Sequence, residues 1–529
     1  MIKIFKRLIF ISTVFLFAGC DKDFVEVNTN PYAANSVDPA LLLAGAQRTH
    51  LGTWTAEHTI VQQFVTPYNT GANVGFNFNE DIDGVSNPKW DQSYAGGANG
   101  NAAPVKNIIQ AMDLLGSGTT RINLMSMLRI WKAQVFMGLV DAYGDVPYSE
   151  AGKAISTAVF YPKYDDDAAI YDDLYKELKE ATAALNPGGD FVSADLFYGA
   201  NAHASTKTGN ATDQVAKWKK LGNSLLLRLG MRYSKINTTK AQAIVAEAFA
   251  GGVMTSNADN ALVKYDGTFY TQGDNNALRN FSQFNYAAEP FVNQLKSTND
   301  PRGKFILANF SNPGNVASQP NPDVVLANQY GVPIAVTDAQ ITAAGSPYRG
   351  ARGGGLNYSQ INVWTVASPA APDYYVTYAQ TSLLLAEAAK RDWILPGGDA
   401  QAQIYYENGI TADMAAYSLY PGTAPISAGE IAAYIADPGV AYNATDALKL
   451  INTQYWIVNL RNGTEAFANF RRSGFPALSP NLFNTKLDGG FVRRFSYPDV
   501  EASANTTNYQ AAVTAIGGDK LTSRVFWDN

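Results

Sequence analysis

The sequence predicts a mainly α-helical protein with long irregular loops and minor β structure. Apolar residues recur at steps of three and four in several segments, as in Leu128, Trp131, Val135 and Leu139, which places them on one face of a helix. Long stretches rich in Asn, Gly and Asp separate these segments and lack that period. The chain has 529 residues and is 46% hydrophobic, so it can bury these faces in a core.

The helical segments follow one another along most of the chain. We expect helices near 39–66, 101–115, 128–139, 170–185, 221–229, 239–250, 376–393, 402–418, 448–458 and 464–472. A further helix should begin after Ser427, because Ser427 and Glu430 have the spacing of a capping box. In that motif the serine accepts the third amide N–H and the glutamate reaches back to the serine N–H.

Three irregular stretches, 66–101, 258–287 and 309–372, carry aromatic residues among polar ones. Loops of this length inside one domain are uncommon unless they have a function. Ligand contacts tend to lie on loops held by a rigid scaffold. We therefore expect the binding residues in these stretches.

One short repeat signal occurs at Trp218, Leu221, Gly222 and Leu225. It follows the W-x2-L-G-x2-Y start of a tetratricopeptide unit, with Leu at the position where Tyr is usual. No regular 34-residue period accompanies it. The match favours a helix pair at this point of the chain.

The N-terminus has the features of a lipoprotein signal peptide. A basic start is followed by an apolar run over 8–17, then by Gly19 and Cys20, the chain's single cysteine. The run is shorter than the roughly 20 residues that span a bilayer, and it fits the apolar part of a secretory signal. Lipid attachment at Cys20 leaves the mature protein without a thiol for disulfides. The predicted division is 1–19 as signal peptide, 20–34 as lipid-anchored tether and 35–529 as a single domain.

Charge and composition narrow the classes of ligand. The formal net charge is −6, which makes nucleic acid a poor partner. Aromatic residues are 12% of the chain, a content that suits a protein presenting ring faces to neutral ligands. A large helical core with Tyr hydroxyls at its surface would explain that content equally well.

Catalytic signatures are sparse. The three histidines lack the H-E-x-x-H spacing, and no G-x-S-x-G occurs. A carboxylate pair for glycoside hydrolysis stays open, because sequence does not give separations between acids. Asn79, Asp81 and Asp83 match the first half of a calcium loop, but Trp90 stands where the bidentate glutamate should be. An EF-hand is therefore not expected, and a looser structural calcium site at these three residues stays open.

Four stretches share a pattern: the cysteine region through 31, residues 130–151, residues 217–229 and residues 451–476. The second contains Tyr143-Gly144-Asp145-Val146-Pro147-Tyr148, and the fourth ends in Arg471-Arg472-Ser473-Gly474-Phe475-Pro476. Together they resemble the SusD/RagB family of outer-membrane nutrient-binding lipoproteins, and more narrowly its SusD-like second subfamily.

The resemblance implies a superhelical scaffold of tetratricopeptide-like helix pairs whose loops carry the ligand. It implies an outer-membrane lipoprotein, lipid-anchored and facing the cell surface, with a TonB-dependent SusC-like barrel as its partner. It implies binding of a glycan, or of a peptide as in some members, and neither enzymatic activity nor a cofactor. The alternatives are an oligopeptide-binding member of the same system, a protein-interaction scaffold without a small ligand, and a lipid-anchored glycoside hydrolase.

Candidate ligand residues follow from the chemistry of a sugar, which has an apolar C–H face and a rim of hydroxyls. Aromatic rings can cover the face, and amide or guanidinium groups can bond the rim. The candidates in the three irregular stretches are Tyr68, Phe78, Trp90, Tyr94, Asn99, Tyr286, Tyr348, Arg349, Arg352, Asn357 and Trp364. Trp90 and Trp364 are the strongest, because their surroundings are polar and no helical stripe includes them.

Overall fold

Helices form along the chain where the apolar stripes lie. The computed structural model describes residues 37–48, 54–66, 83–96, 103–201, 203–282, 285–334, 358–481, 487 and 490–529. In chain order the helices up to residue 300 are α1 Pro39–Arg48, α2 Glu57–Ile60, α3 Asp83–Tyr94, α4 Pro104–Leu115, α5 Ile122–Tyr143, α6 Ala154–Thr157, α7 Asp167–Ala184, α8 Ala211–Arg232, α9 Thr238–Ala250, α10 Gly273–Asn280 and α11 Glu289–Ser297. Those that follow are α12 Gly303–Ile306, α13 Tyr378–Lys390, α14 Gly398–Ala416, α15 Ala428–Ile435, α16 Ala447–Val458, α17 Gly463–Ser473, α18 Asp499–Ala504 and α19 Thr506–Ala515.

The predicted mainly α-helical, tetratricopeptide-like fold is confirmed. Each expected segment contains a helix, although the segment near 39–66 holds two, α1 and α2. The capping box that opens α15 is present as well. Ser427 Oγ accepts the Glu430 N–H at 3.2 Å, and the Ser427 N–H donates to Glu430 Oε2 at 2.9 Å.

Helix α3 was not predicted, because it falls inside the stretch 66–101 expected to be irregular. Its buried positions are Val85, Ser86, Lys89, Trp90 and Ser93, which have the spacing of one helical face. Three of the five are polar, so the face shows no apolar stripe in the sequence. Each is accommodated by a specific contact, such as the 2.6 Å ion pair between Lys89 and Glu57 on α2.

The tetratricopeptide-like signature at Trp218 marks a tight helix contact. Trp218 on α8 is fully buried, and its indole N–H donates to Asp195 Oδ2 at 2.7 Å. A Cβ on Gly222 would lie 2.1 Å from Thr182 Oγ1 on α7, so a larger residue at this position would force the Thr182 side chain or the helix to move. Helix α8 also packs against α9, as α13 does against α14.

The strands are short and lie between the helices. They pair as antiparallel two-stranded sheets: β1 Phe64–Val65 with β3 Tyr286–Ala287, β2 Ala261–Val263 with β6 Asp373–Val376, and β4 Leu307–Ala308 with β5 Gln360–Ile361. Minor β structure is thus confirmed. The sheets join segments far apart in sequence and fix the ends of the loops.

Buried ion pairs tie the helices together inside the compact unit Pro39–Asn529. Arg232 on α8 lies 3.1 Å from Asp141 Oδ2 on α5 and 2.6 Å from Glu465 Oε2 on α17, with all three side chains buried. The Trp527 indole N–H donates to Asp141 Oδ1 at 2.9 Å, which anchors the C-terminus to the same site. Within the described part of the chain, no helix has the length and apolar content needed to cross a membrane.

Candidate functional site

The structure describes four of the predicted ligand residues: Trp90, Tyr94, Tyr286 and Trp364. The others lie outside the described residues, and they are Tyr68, Phe78, Asn99, Tyr348, Arg349, Arg352 and Asn357. Of the calcium candidates, Asn79 and Asp81 also lie outside them, and Asp83 is the first residue of α3.

Trp90 and Tyr94 lie one turn apart on α3, with ring centroids 4.9 Å from each other. The expectation that Trp90 belongs to a loop was wrong, since Trp90 lies on helix α3. Its side chain packs into the core and is 4% exposed. Its ring meets Tyr143 edge-on at 5.2 Å and stacks on Tyr164 at 5.8 Å. Burial, and next the negative charge of Glu501, raise the pKa of Tyr94, so its hydroxyl keeps the proton it donates to Pro147 O at 2.7 Å.

Trp90 and Tyr94 line a cleft of about 260 Å³, here called the Trp90 cleft. Its other walls come from α4, the segment 147–162 and α18. Phe160 lines one side and is 69% exposed, although it is apolar. Lys106, Glu150 and Glu501 supply the charged groups of the lining.

Hydrogen bonds hold the wall that carries Phe160 in place. Asn508 on α19 donates a hydrogen bond from its side-chain amide to Tyr161 O at 3.0 Å. Asn505, which directly precedes α19, donates in the same way to Pro162 O at 2.9 Å. At its other end, Gly152 has φ of +71°, and a Cβ there would lie 3.0 Å from Ile109 Cβ on α4. These contacts hold the backbone on either side of Phe160, whose ring stays exposed.

Trp364 belongs to a second surface, here called the Trp364 face. It consists of Trp364, of Arg279, which stacks on the Trp364 ring, and of Phe281, two residues after Arg279 in the chain. The Trp364 indole N–H donates to Val316 O at 3.2 Å. The guanidinium carbon of Arg279 lies 4.5 Å from the centroid of the half-buried Trp364 ring. Phe281, directly after α10, is 60% exposed. This face therefore has a cation stacked on the Trp364 ring and, two residues further along the chain, the exposed ring of Phe281.

Tyr286 lies apart from both surfaces in a small buried cluster. It is 4% exposed and pairs with Val65 in the β1–β3 sheet. Val332 and Tyr358 belong to the same cluster. The structure thus brings Trp90 and Tyr94 into one cleft and places Tyr286 and Trp364 elsewhere.

One group of three carboxylates has the close spacing that a metal ion would need. Oxygens of Asp145, Asp166 and Asp167 lie within 4.8 Å of one another. Backbone amides use all three, because Asp145 accepts the Asp167 N–H, Asp166 the Ala169 N–H and Asp167 the Phe526 N–H, at 2.8 to 2.9 Å. Burial raises the pKa of Asp145 and raises that of Asp167 to about 7. The group fixes the start of α7.

Three residues of the two surfaces were not among the predicted ligand residues: Phe160 in the Trp90 cleft, and Arg279 and Phe281 in the Trp364 face. Phe160 follows a run of small and apolar residues that gives no sign of exposure. Phe281 does lie in a stretch, 258–287, that the sequence marks as aromatic and irregular. The stacking of Arg279 on Trp364 joins residues 85 positions apart, and nothing in the sequence signals it.

Comparison with known proteins gives a consistent result. The family model described as SusD-like, starch-binding associating with outer membrane, matches residues 31–498. No curated protein matches the chain. A solved chitin-binding protein is 28% identical, with a TM-score of 0.75 over 93% of this chain and 100% of its own.

Other similar structures are more distant in sequence. A chitin-binding SusD homologue from Flavobacterium johnsoniae is 22% identical, with a TM-score of 0.70 over 92% of this chain and 99% of its own. A SusD homologue from Bacteroides uniformis is 21% identical, with a TM-score of 0.71 over 94% of this chain and 100% of its own. At these identities the likeness shows the fold alone.

Proposed function

The chain belongs to the SusD-like family of glycan-binding outer-membrane proteins, and from this premise we propose that it captures an oligosaccharide at the cell surface. It would then deliver that ligand to a TonB-dependent SusC-like barrel in the outer membrane. The observation that carries the proposal is the family match over residues 31–498, joined to a surface that presents aromatic rings to solvent.

The proposed ligand is a chitin-type oligosaccharide, a chain of N-acetylglucosamine units. The similar protein at 28% identity is a chitin-binding protein, which supports this class over other glycans. Such a ligand is neutral and carries an apolar face on each ring. The net charge of −6 does not oppose its binding, as it would that of a polyanion.

The Trp364 face is the proposed primary binding surface. The exposed Phe281 ring would lie on the C–H face of a sugar, and the exposed part of the half-buried Trp364 ring would contact the same ligand. Arg279 supplies N–H donors to hydroxyl or amide oxygens. Aromatic contacts contribute about 0.5–1.5 kcal/mol each beyond burial, and a micromolar Kd requires about 8 kcal/mol. Several sugar units must therefore be in contact at once.

Isothermal titration with chitotetraose, with maltotetraose as the comparison ligand, tests this function. We expect Trp364→Ala to weaken binding about tenfold, as loss of one aromatic contact of about 1.4 kcal/mol implies. Leu395→Ala is the matched control, since Leu395 is an apolar residue that is 83% exposed and belongs to neither surface. Binding of neither saccharide would contradict the proposal, and binding of oligopeptides instead would favour a peptide-binding member of the system.

The proposed mode of action is capture and transfer without chemistry. The purified protein should release no reducing sugar from chitin, and release abolished by changing one carboxylate would establish a glycoside hydrolase instead.

The proposed barrel partner should co-purify with the native lipoprotein from outer membranes. A protein-interaction scaffold without a small ligand would co-purify in the same way but bind no saccharide.

A further inference from the structure

The Trp90 cleft has the features of a site for a small ligand and is separate from the proposed primary binding surface. It shares no residue with the Trp364 face. Its volume of about 260 Å³ lies just below the roughly 300–1,000 Å³ of sites that enclose drug-sized ligands. A cleft of this size suits one unit of a longer chain, with the rest of the chain in solvent.

The apolar part of the cleft has a floor and a wall. Trp90 and Tyr94 form the floor, and both are held rigidly by their contacts in the core. Phe160 forms the wall and keeps 69% of its surface exposed on a segment fixed at Tyr161 and Pro162. Because its backbone is already held, the segment that carries Phe160 loses little conformational freedom when a ligand stacks on the ring.

The polar part of the cleft consists mainly of hydrogen-bond acceptors. Glu150 accepts the Lys163 N–H through Oε2 at 2.9 Å, and Glu501 accepts the Tyr164 hydroxyl through Oε2 at 2.8 Å. These bonds orient each carboxylate and leave Oε1 as a site for a further donor. Lys106 adds an ammonium group to the lining.

We infer that the Trp90 cleft binds one pyranose unit of an oligosaccharide, as a second site beside the Trp364 face. The C–H face of the sugar would lie on Phe160, its hydroxyls would donate to Glu150 and Glu501, and Lys106 would donate to a ring or amide oxygen. Two carboxylates disfavour phosphate-bearing ligands, and they would lose their hydration under a purely apolar one. This inference rests on the proposed function and adds a second contact point on the same ligand class.

Titration with chitotetraose at concentrations up to millimolar separates the inference from the proposed function. We expect two sites in the unaltered protein, one of them weakened about tenfold by Phe160→Ala and the other about tenfold by Trp364→Ala. Phe269→Ala is the matched control, because Phe269 is 95% exposed on a different turn and should leave both sites intact.

The other outcomes are also decisive. A single site that is weakened by Trp364→Ala and untouched by Phe160→Ala would overturn the inference while the proposed function stands. Absence of any saccharide binding would overturn both. If Phe160→Ala left saccharide binding intact but reduced co-purification with the barrel, the cleft would be a protein-docking surface and the inference would be wrong.

Discussion

The carboxylate of Glu387 on α13 accepts hydrogen bonds from both terminal nitrogens of Arg472 on α17, at 2.8 and 2.7 Å. Both side chains are 1% exposed, so this two-point contact joins the helices within the core. Burial by itself would raise the pKa of Glu387, but the charge and hydrogen bonds of Arg472, and then those of Arg391, lower it to about 2.

Glu387→Gln should therefore lower the free energy of unfolding by about 3–5 kcal/mol, because it leaves the Arg472 charge buried without a counter-charge. Urea denaturation at pH 7 measures this loss. Asp399→Asn is the control, since Asp399 pairs with Lys390 at the surface, where such a pair contributes about 1 kcal/mol or less. Equal effects of the two substitutions would contradict a special role for the buried pair.

The same pair makes a prediction for acid. The pKa of Glu387 is lower in the folded protein than the ordinary value of 4.5. The ionised carboxylate therefore contributes its full share to the free energy of unfolding above pH 4.5, and this share is lost as the pH falls toward 2. The unaltered protein should lose stability over that range more steeply than Glu387→Gln. Parallel curves of unfolding free energy against pH would show that Glu387 does not titrate in this way.

Asp167 should give the opposite dependence. Its pKa is raised by burial from 3.8 to about 7, so the folded protein holds this proton more tightly than the unfolded chain does. Stability should fall as the pH rises from about 4 to 7 and then level off. Asp167→Asn should remove up to about 4 kcal/mol of that fall, at roughly 1.4 kcal/mol per pKa unit.

Unfolding free energies at pH 5 and pH 8 test the effect of Asp167. From pH 5 to pH 8, the free energy of unfolding of the unaltered protein should fall by more than that of Asp167→Asn. Asp172→Asn is a suitable control, because Asp172 lies on the same helix α7 but is exposed and paired with Lys240. A gain of the same size in Asp172→Asn would assign the effect to the net charge of α7 rather than to burial.

The fold could be predicted further than the sites, for a physical reason. Apolar stripes arise from local spacing, so α5, α7, α8 and α16 could be recognised in the sequence. Helix α3 could not, because Ser86, Lys89 and Ser93 occupy much of its buried face and depend on partners such as Glu57. The partners of a buried polar face lie far away in the sequence, so the local spacing of apolar residues does not predict them.

The same limit applies to the candidate sites. Trp90 and Tyr94 were predicted from their residue types, and their spacing of four places them together once α3 is known. Phe160 becomes part of their cleft only because the segment 147–162 folds back over α3 and α4. Whether an aromatic ring ends up buried, like Trp90, or exposed, like Phe160, depends on that long-range packing.

The contact between α13 and α14 depends on a glycine. A Cβ on Gly409 would lie 2.7 Å from Leu383 Cγ and 3.2 Å from Ala379 O. Gly409→Ala should lower the free energy of unfolding by about 1–3 kcal/mol, since the added methyl overpacks the contact by more than the roughly 1 kcal/mol that alanine's helix propensity returns.

Gly429→Ala provides a matched comparison for Gly409→Ala, because both glycines are helical. A Cβ on Gly429 in α15 would meet nothing within 4 Å, so this substitution should stabilise the protein by up to about 1 kcal/mol. Thermal unfolding of the two variants should shift in opposite directions. Stabilisation by both would mean that α13 and α14 can move apart at little cost.

Cys20 determines the proposed attachment to the membrane. A lipid bound to its sulfur would provide the anchor, at roughly 0.8 kcal/mol per buried CH₂, and serine has no sulfur to receive it. Cys20→Ser should therefore lose fatty-acid labelling, membrane association and uptake of the ligand, while thermal unfolding and saccharide binding of the purified protein stay unchanged. Ser12→Ala, within the apolar run 8–17, should retain all of these properties. Uptake that persists in Cys20→Ser without labelling would mean that contact with the barrel alone holds the protein at the surface.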